Sequence, residues 1–256
     1  MALTNFTEDE NQKTFIELFC SAEFIRGVDS ELIFLSAINI FLSITAFLGN
    51  TLILVALHKK TSLYPPSKLL YRNLAITDLC VGIIVEPLYV AWTSVVNKRW
   101  NICHYTSLAM GFWASTLCAV SLVTSTAISV DRLLALLLGL RYRQVVPLRR
   151  TCIIAFGFWF LSIVVSSTLT VWNILILLSY DYIGTALCLV TTAFAYTNIL
   201  CTLRHNQIHV HNHFAPRQPN QEIPLNIARY IKAVYTALWV QGTLVVCYLP
   251  VNIVYT

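Results

Sequence analysis

Long apolar runs separated by short polar stretches dominate the chain. Leu32 to Leu57 contains no charge, Leu69 to Trp92 contains Arg72, Asp78 and Glu86, and Tyr105 to Leu138 holds only Asp131 and Arg132. Tyr230 to Thr256 carries Lys232 alone. Each run exceeds the ~20 residues that a helix needs to cross ~30 Å of hydrocarbon. Residues 151 to 203 form a 53-residue stretch (203 − 151 + 1) whose sole charge is Asp181. It is too long for one crossing even with tilt, so it predicts two helices joined by a short turn between Thr170 and Asp181. Trp172 and Asn173 are the expected corner, because tryptophan favours the membrane interface. The pattern predicts an all-α membrane protein with an N-terminal segment of residues 1–30. Six transmembrane helices follow, at about 32–57, 69–92, 105–138, 152–171, 175–203 and 230–256.

Composition narrows the class further. The chain is 57% hydrophobic and only 11% charged, against roughly 25% charged in soluble domains. An ordinary soluble fold is excluded. The net charge of +5 has no basic stripe with interleaved aromatics behind it, so no nucleic-acid partner is expected. The charge records topology instead. Of the 17 Lys and Arg residues, 13 lie in the loops after spans one, three and five or at the adjoining helix ends. The other four are Lys13, Arg26, Lys98 and Arg99. This positive-inside bias predicts an extracellular N-terminus. No basic n-region precedes a short apolar core, so the first span is expected to act as its own signal. Asn5-Phe6-Thr7 is a glycosylation sequon on the predicted lumenal side; Asn5 either carries a glycan there or marks a chance match.

The charges inside the runs need a reason, because a lone ion in a span is costly and marks function or pairing. Asp131-Arg132 stands at the foot of span three, where a long arginine can reach water. Asp78 stands near the middle of span two. Six segments place these residues in an ordered pattern: Gly49-Asn50 in span one, "NLAITDL" (Asn73 to Leu79) in span two, and "SVDRLLALLLGLRY" closing span three. Trp159 in span four, "YTNI" (Tyr196 to Ile199) in span five and "CYLP" (Cys247 to Pro250) in span six complete it. The set resembles the rhodopsin-like (class A) G protein-coupled receptors over nearly the whole chain.

That resemblance implies a seven-helix receptor bundle of the plasma membrane and not an enzyme. Its partners would be the lipid bilayer, a heterotrimeric G protein and an extracellular small-molecule ligand. Asp131, Arg132 and Tyr196 would carry coupling, with Leu133 in place of the family's usual tyrosine. Asn50, Asp78 and Ser121 would form an allosteric Na⁺ site; the plainer reading is that Asp78 is a protonated, hydrogen-bonded helix contact. Pro87 and Pro250 would be helix pivots, since each removes a backbone hydrogen bond. The ligand pocket would draw on Glu86, Trp92, Trp113, Ala114, Asp181 and Tyr248. Ala114 stands where amine receptors of the family carry an aspartate, which leaves Glu86 as a possible counter-ion. Asp181 either faces the cavity or caps span five, and the cap is the expected role.

Of eight cysteines, only Cys20 and Cys103 lie on the predicted outer side. The family usually joins the top of helix three to the second outer loop, which here contains no cysteine. Cys20 and Cys103 are therefore either bridged to each other or free thiols. The sequence ends six residues after Pro250 with no Asn-Pro-x-x-Tyr motif, so the expectation is a receptor truncated before its seventh helix. A non-signalling receptor fragment and a small multi-span transporter are the alternatives, although no internal repeat supports the transporter.

Overall fold

The computed structural model of the chain describes Cys20 and residues 29–59, 64–95, 100–172 and 174–213. Among them all regular structure is helical: α1 (Asp29–Lys59), α2 (Pro65–Cys80), a π-helical turn (Val81–Val85), α3 (Glu86–Val95) and α4 (Trp100–Leu138). A 3₁₀ turn (Gly139–Arg141), α5 (Tyr142–Val145), α6 (Leu148–Trp172) and α7 (Ile174–His213) complete the order. Five spans among these residues are long and apolar enough to cross a membrane: Leu32–Lys59, Pro65–Thr93, Ile102–Leu138, Leu148–Thr168 and Ser179–Thr202. Large apolar side chains such as Phe34, Phe41, Leu52, Phe156, Phe160 and Val190 are exposed on them. In an all-α, multi-pass membrane protein such side chains face lipid rather than water. The predicted span at 230–256 lies outside the described residues.

Local chemistry sets where the helices begin and end. Span two starts at Pro65, earlier than expected, because Pro65 and Pro66 occupy its first turn, where a missing N–H costs nothing. α6 begins just after Pro147, whose carbonyl accepts from the N–H groups of Arg150 (3.1 Å) and Thr151 (3.3 Å). α4 stops at Gly139, whose φ of +49° is the left-handed conformation that ends helices. α7 runs ten residues past the expected limit of 203, to His213. No Gly or Pro stands between Thr185 and His213 to break it.

The described residues fall into two compact units, those within Met1–Ser125 and Val146–Gly184 and those within Thr126–Val145 and Thr185–Thr256. In the first, α1 lies along the second span. Ser36 Oγ meets Thr93 Oγ1 at 3.0 Å, and Ser43 Oγ donates to the Gly82 carbonyl at 2.6 Å. The two helices approach closely there: a Cβ on Gly82 would stand 3.1 Å from Ala46 Cβ and 3.2 Å from Ser43 O. The π turn explains the bond. The Glu86 N–H reaches back to the Val81 carbonyl, so in the same register the Gly82 carbonyl would need the N–H of residue 87. Residue 87 is a proline and has none. Ser43 supplies the missing donor. Pro87 thus enforces one wide turn whose freed carbonyl is tied to α1, a more specific role than the general pivot expected of it.

In the second unit, the end of α4 and the 3₁₀ turn bring α5 back toward α4. Ala195, Tyr196 and Ile199 of α7 are buried, and Thr192 Oγ1 contacts Thr126 Oγ1 at 3.4 Å.

Candidate functional site

Three groups of side chains stand out from the apolar background. The first surrounds the start of α4. Cys20 and Cys103 form a disulfide, so the pairing left open by the sequence is made. Trp92 is buried against it, with Tyr89, Leu32 and Leu108 closing the cluster. The Tyr89 and Trp92 rings lie 5.8 Å apart, tilted by 42°. Trp92 was expected in a ligand pocket; here it packs on the disulfide. Tyr89 was not anticipated, although its place three residues before Trp92 puts both on one helix face.

Three sets of hydrogen bonds link spans two to five within the first unit. Trp159 Nε1 donates to Asn73 Oδ1 at 2.8 Å, and Asn73 Nδ2 donates to Thr124 Oγ1 at 2.8 Å. Asn73 thereby joins three helices, and both ends of its amide are used. Ser121 Oγ donates to Asp78 Oδ1 at 2.8 Å. The expected third member, Asn50, directs its amide to the Ala46 carbonyl of its own helix at 2.9 Å. Further along α4, Ser115 Oγ donates to Asp181 Oδ1 at 2.9 Å and lies 3.2 Å from Ser166 Oγ.

Asp181 sits in the second turn of α7 and bonds to another span, so the expected helix cap is replaced by an interhelical contact. Ser115 and Ser166 were not anticipated; small hydroxyls facing one another across spans leave no periodic signal. Nearby, the Thr116 hydroxyl is fully buried with no hydrogen-bond partner. Trp113 is exposed and meets Phe112 edge-on, with ring centroids 5.2 Å apart. Ala114 and Glu86 are partly buried.

The third group is the foot of α4. Asp131 is buried and accepts a hydrogen bond from the Tyr142 hydroxyl, which is buried as well. Arg132 beside it is half-buried. Tyr142 closes the quoted "GLRY" segment, and its role follows from Gly139: the left-handed residue reverses the chain, and the short turn returns the tyrosine to the acid. Tyr196 is buried on α7 in the same unit. Asn5, Tyr248 and Pro250 lie outside the described residues.

Residues 49–173 match the model of the family described as 7 transmembrane receptor (rhodopsin family). Over these residues, just under half of its length, the chain is similar to the rhodopsin-like receptors. It is 26% identical over 144 residues to 5-hydroxytryptamine receptor 1B of Spalax ehrenbergi, an alignment covering 55% of this chain and 36% of the relative. Adenosine receptor A3 of Bos taurus is 29% identical over 138 residues, 54% of this chain and 42% of the relative. Melanopsin of Phodopus sungorus is 27% identical over 125 residues, 49% of this chain and 26% of the relative. The chain thus aligns with less than half the length of these relatives. The family is one of receptors rather than enzymes, and its members are multi-pass proteins of the plasma membrane.

Proposed function

We propose that the chain senses an extracellular small molecule and acts on a heterotrimeric G protein through the foot of α4. The contact between Asp131 and Tyr142 carries this reading. A buried carboxylate held by a tyrosine hydroxyl can exchange partners without unwinding a helix, which is what a two-state element requires. Arg132, next to it, offers an always-charged fork of donors to an incoming partner. The 13-to-4 distribution of Lys and Arg supports placing this foot in the cytoplasm and the N-terminus outside.

Relatives of similar identity are named for 5-hydroxytryptamine and for adenosine, so likeness alone favours neither ligand. Ala114 lacks the acid that an amine would meet on helix three. Glu86 and Asp181 are the ionisable groups that remain, and a carboxylate within a span is stabilised by a cationic ligand group. Asp78 and Ser121, brought together at 2.8 Å, present oxygen donors that fit a hard cation such as Na⁺. A cation held by them would supply a positive charge beside the Asp78 carboxylate.

The test is nucleotide exchange. In membranes carrying the chain, exchange on added G protein heterotrimer should exceed that with Arg132→Ala by about tenfold at equal surface expression. Equal exchange with both would defeat the assignment.

A further inference from the structure

α7 runs on past its apolar span, Ser179–Thr202, to His213. That extension carries four of the chain's six histidines, His205, His209, His211 and His213. A helix turns about 100° per residue, so each step of four residues advances around the axis by only about 40°. His205, His209 and His213 therefore form one stripe with rungs about 6 Å apart along the axis, and His211 stands on the opposite side of the helix from His209. In a loop these residues would have no fixed spacing. The helix gives them one.

That spacing is a chemical feature. Two histidines four residues apart on a helix can share one transition-metal ion, because Zn–N bonds of about 2 Å bring both rings to the same point between successive turns. No Asp or Glu occurs from Tyr182 to Gln221, so Mg²⁺ and Ca²⁺, which prefer carboxylate oxygens, find no ligand of that kind here. Imidazole suits Zn²⁺. His205 and His213 stand about 12 Å apart along the axis, too far for a single ion to engage both. His209 is a member of both adjacent pairs, so the stripe holds one ion at a time and His209 takes part in either arrangement.

Cys201, one turn before His205, is an exposed free thiol. It lies within the apolar span, where a bare dication is costly, so the site begins at His205. Among the described residues no three His, Cys, Asp or Glu side chains converge as a metal cage. A pair is an open clamp, with the remaining coordination positions left to water.

We propose that the end of α7 binds a zinc ion through His209 and one of its two neighbours on the stripe, His205 or His213. The ion ties one helical turn to the next, so binding stabilises the extension that carries the site. The assignment rests on the register of α7 and is independent of extracellular ligand and G protein. Its readout is metal occupancy, so its failure and a failure of coupling are separate results.

The test uses the full chain in detergent, without a histidine tag and stripped of metal, titrated with Zn²⁺ against a chromogenic chelator. His209→Ala should weaken zinc binding at least about tenfold. His205→Ala and His213→Ala should each weaken it only about twofold, because each leaves one pair intact, whereas the two together should match His209→Ala. His211→Ala and Cys201→Ser should leave the affinity unchanged. Zn²⁺, and not Mg²⁺, should slow amide hydrogen exchange in the 203–213 peptide of the unaltered chain and have no such effect in His209→Ala. Equal melting of all variants in the absence of zinc checks that the fold is kept.

Equal zinc affinity in the unaltered chain and in His209→Ala would overturn the proposal. A loss with His211→Ala or Cys201→Ser as large as that with His209→Ala would overturn the stripe in favour of a different ligand set. Binding that leaves exchange in the 203–213 peptide unchanged would overturn the helical clamp.

Discussion

The two ends of α4 are held in opposite ways. Near its start, Cys103 is bonded covalently to Cys20, 83 residues away in sequence, and the bond is sealed by Trp92 and Tyr89. Near its end, Asp131 is held by the hydroxyl of Tyr142, 11 residues on, across a turn that Gly139 makes possible. A disulfide closing so long a loop contributes about 2–4 kcal/mol. A single buried hydrogen bond contributes about 1 kcal/mol net. One end is therefore fixed covalently, while the other can open in a minority of molecules with nothing bound. Under the proposed function, a chain that changes shape at the foot of α4 and not at its start gains from that difference.

The largest expected effect breaks the fixed end. Cys103→Ser should lower stability by about 2–4 kcal/mol, read as a fall in melting temperature of the detergent-solubilised chain. Reductant should produce the same fall in the unaltered chain and none in the variant. Identical melting with and without reductant would show that the bond contributes nothing.

The next prediction loosens the other end. Tyr142→Phe removes one hydroxyl and leaves Asp131 buried with one bond fewer, a cost of about 1–2 kcal/mol. Because the cost falls on the closed arrangement, basal nucleotide exchange should rise about five- to tenfold even as thermal stability drops. Lower stability with unchanged exchange would make the contact structural only, and the contrast between the two ends would lose its functional meaning.

What the sequence revealed followed from the physics of each feature. Long apolar runs with few charges announce spans, because every residue contributes to the signal; the five spans among the described residues are legible for that reason. Asp78, Asp131 and Arg132 were legible because a charge in a span is costly enough to be conspicuous. Partners were harder to read. Ser121 was anticipated only through the family resemblance. The sequence pattern assigns Tyr142 no role, since its return to Asp131 depends on the φ of Gly139, which no residue pattern states. Asp181 was expected to cap a helix because it interrupts an apolar run near a turn. Ile174 begins α7 earlier, and the acid is turned toward Ser115 instead. Trp92 and Trp113 show the limit from the other side: both are large aromatics in spans, yet one is buried on a disulfide and the other exposed. Composition cannot separate those two fates.

The smallest expected effect tests how the releasable end is built. Gly139 has φ +49°, and a Cβ added there would meet nothing within 4 Å. Any penalty for Gly139→Ala is therefore backbone strain in the left-handed region, about 1 kcal/mol, with no steric clash to confuse it. Gly139→Asn should cost less, because asparagine tolerates that region better than alanine does. If Gly139 acts by returning Tyr142 to Asp131, alanine should raise basal exchange in the same direction as Tyr142→Phe but by a smaller factor, with asparagine between alanine and glycine. The double variant Gly139→Ala/Tyr142→Phe should exchange no faster than Tyr142→Phe alone, since the turn then has no hydrogen bond left to position. Additive effects in the double variant would separate the turn from the tyrosine and assign Gly139 to helix termination only.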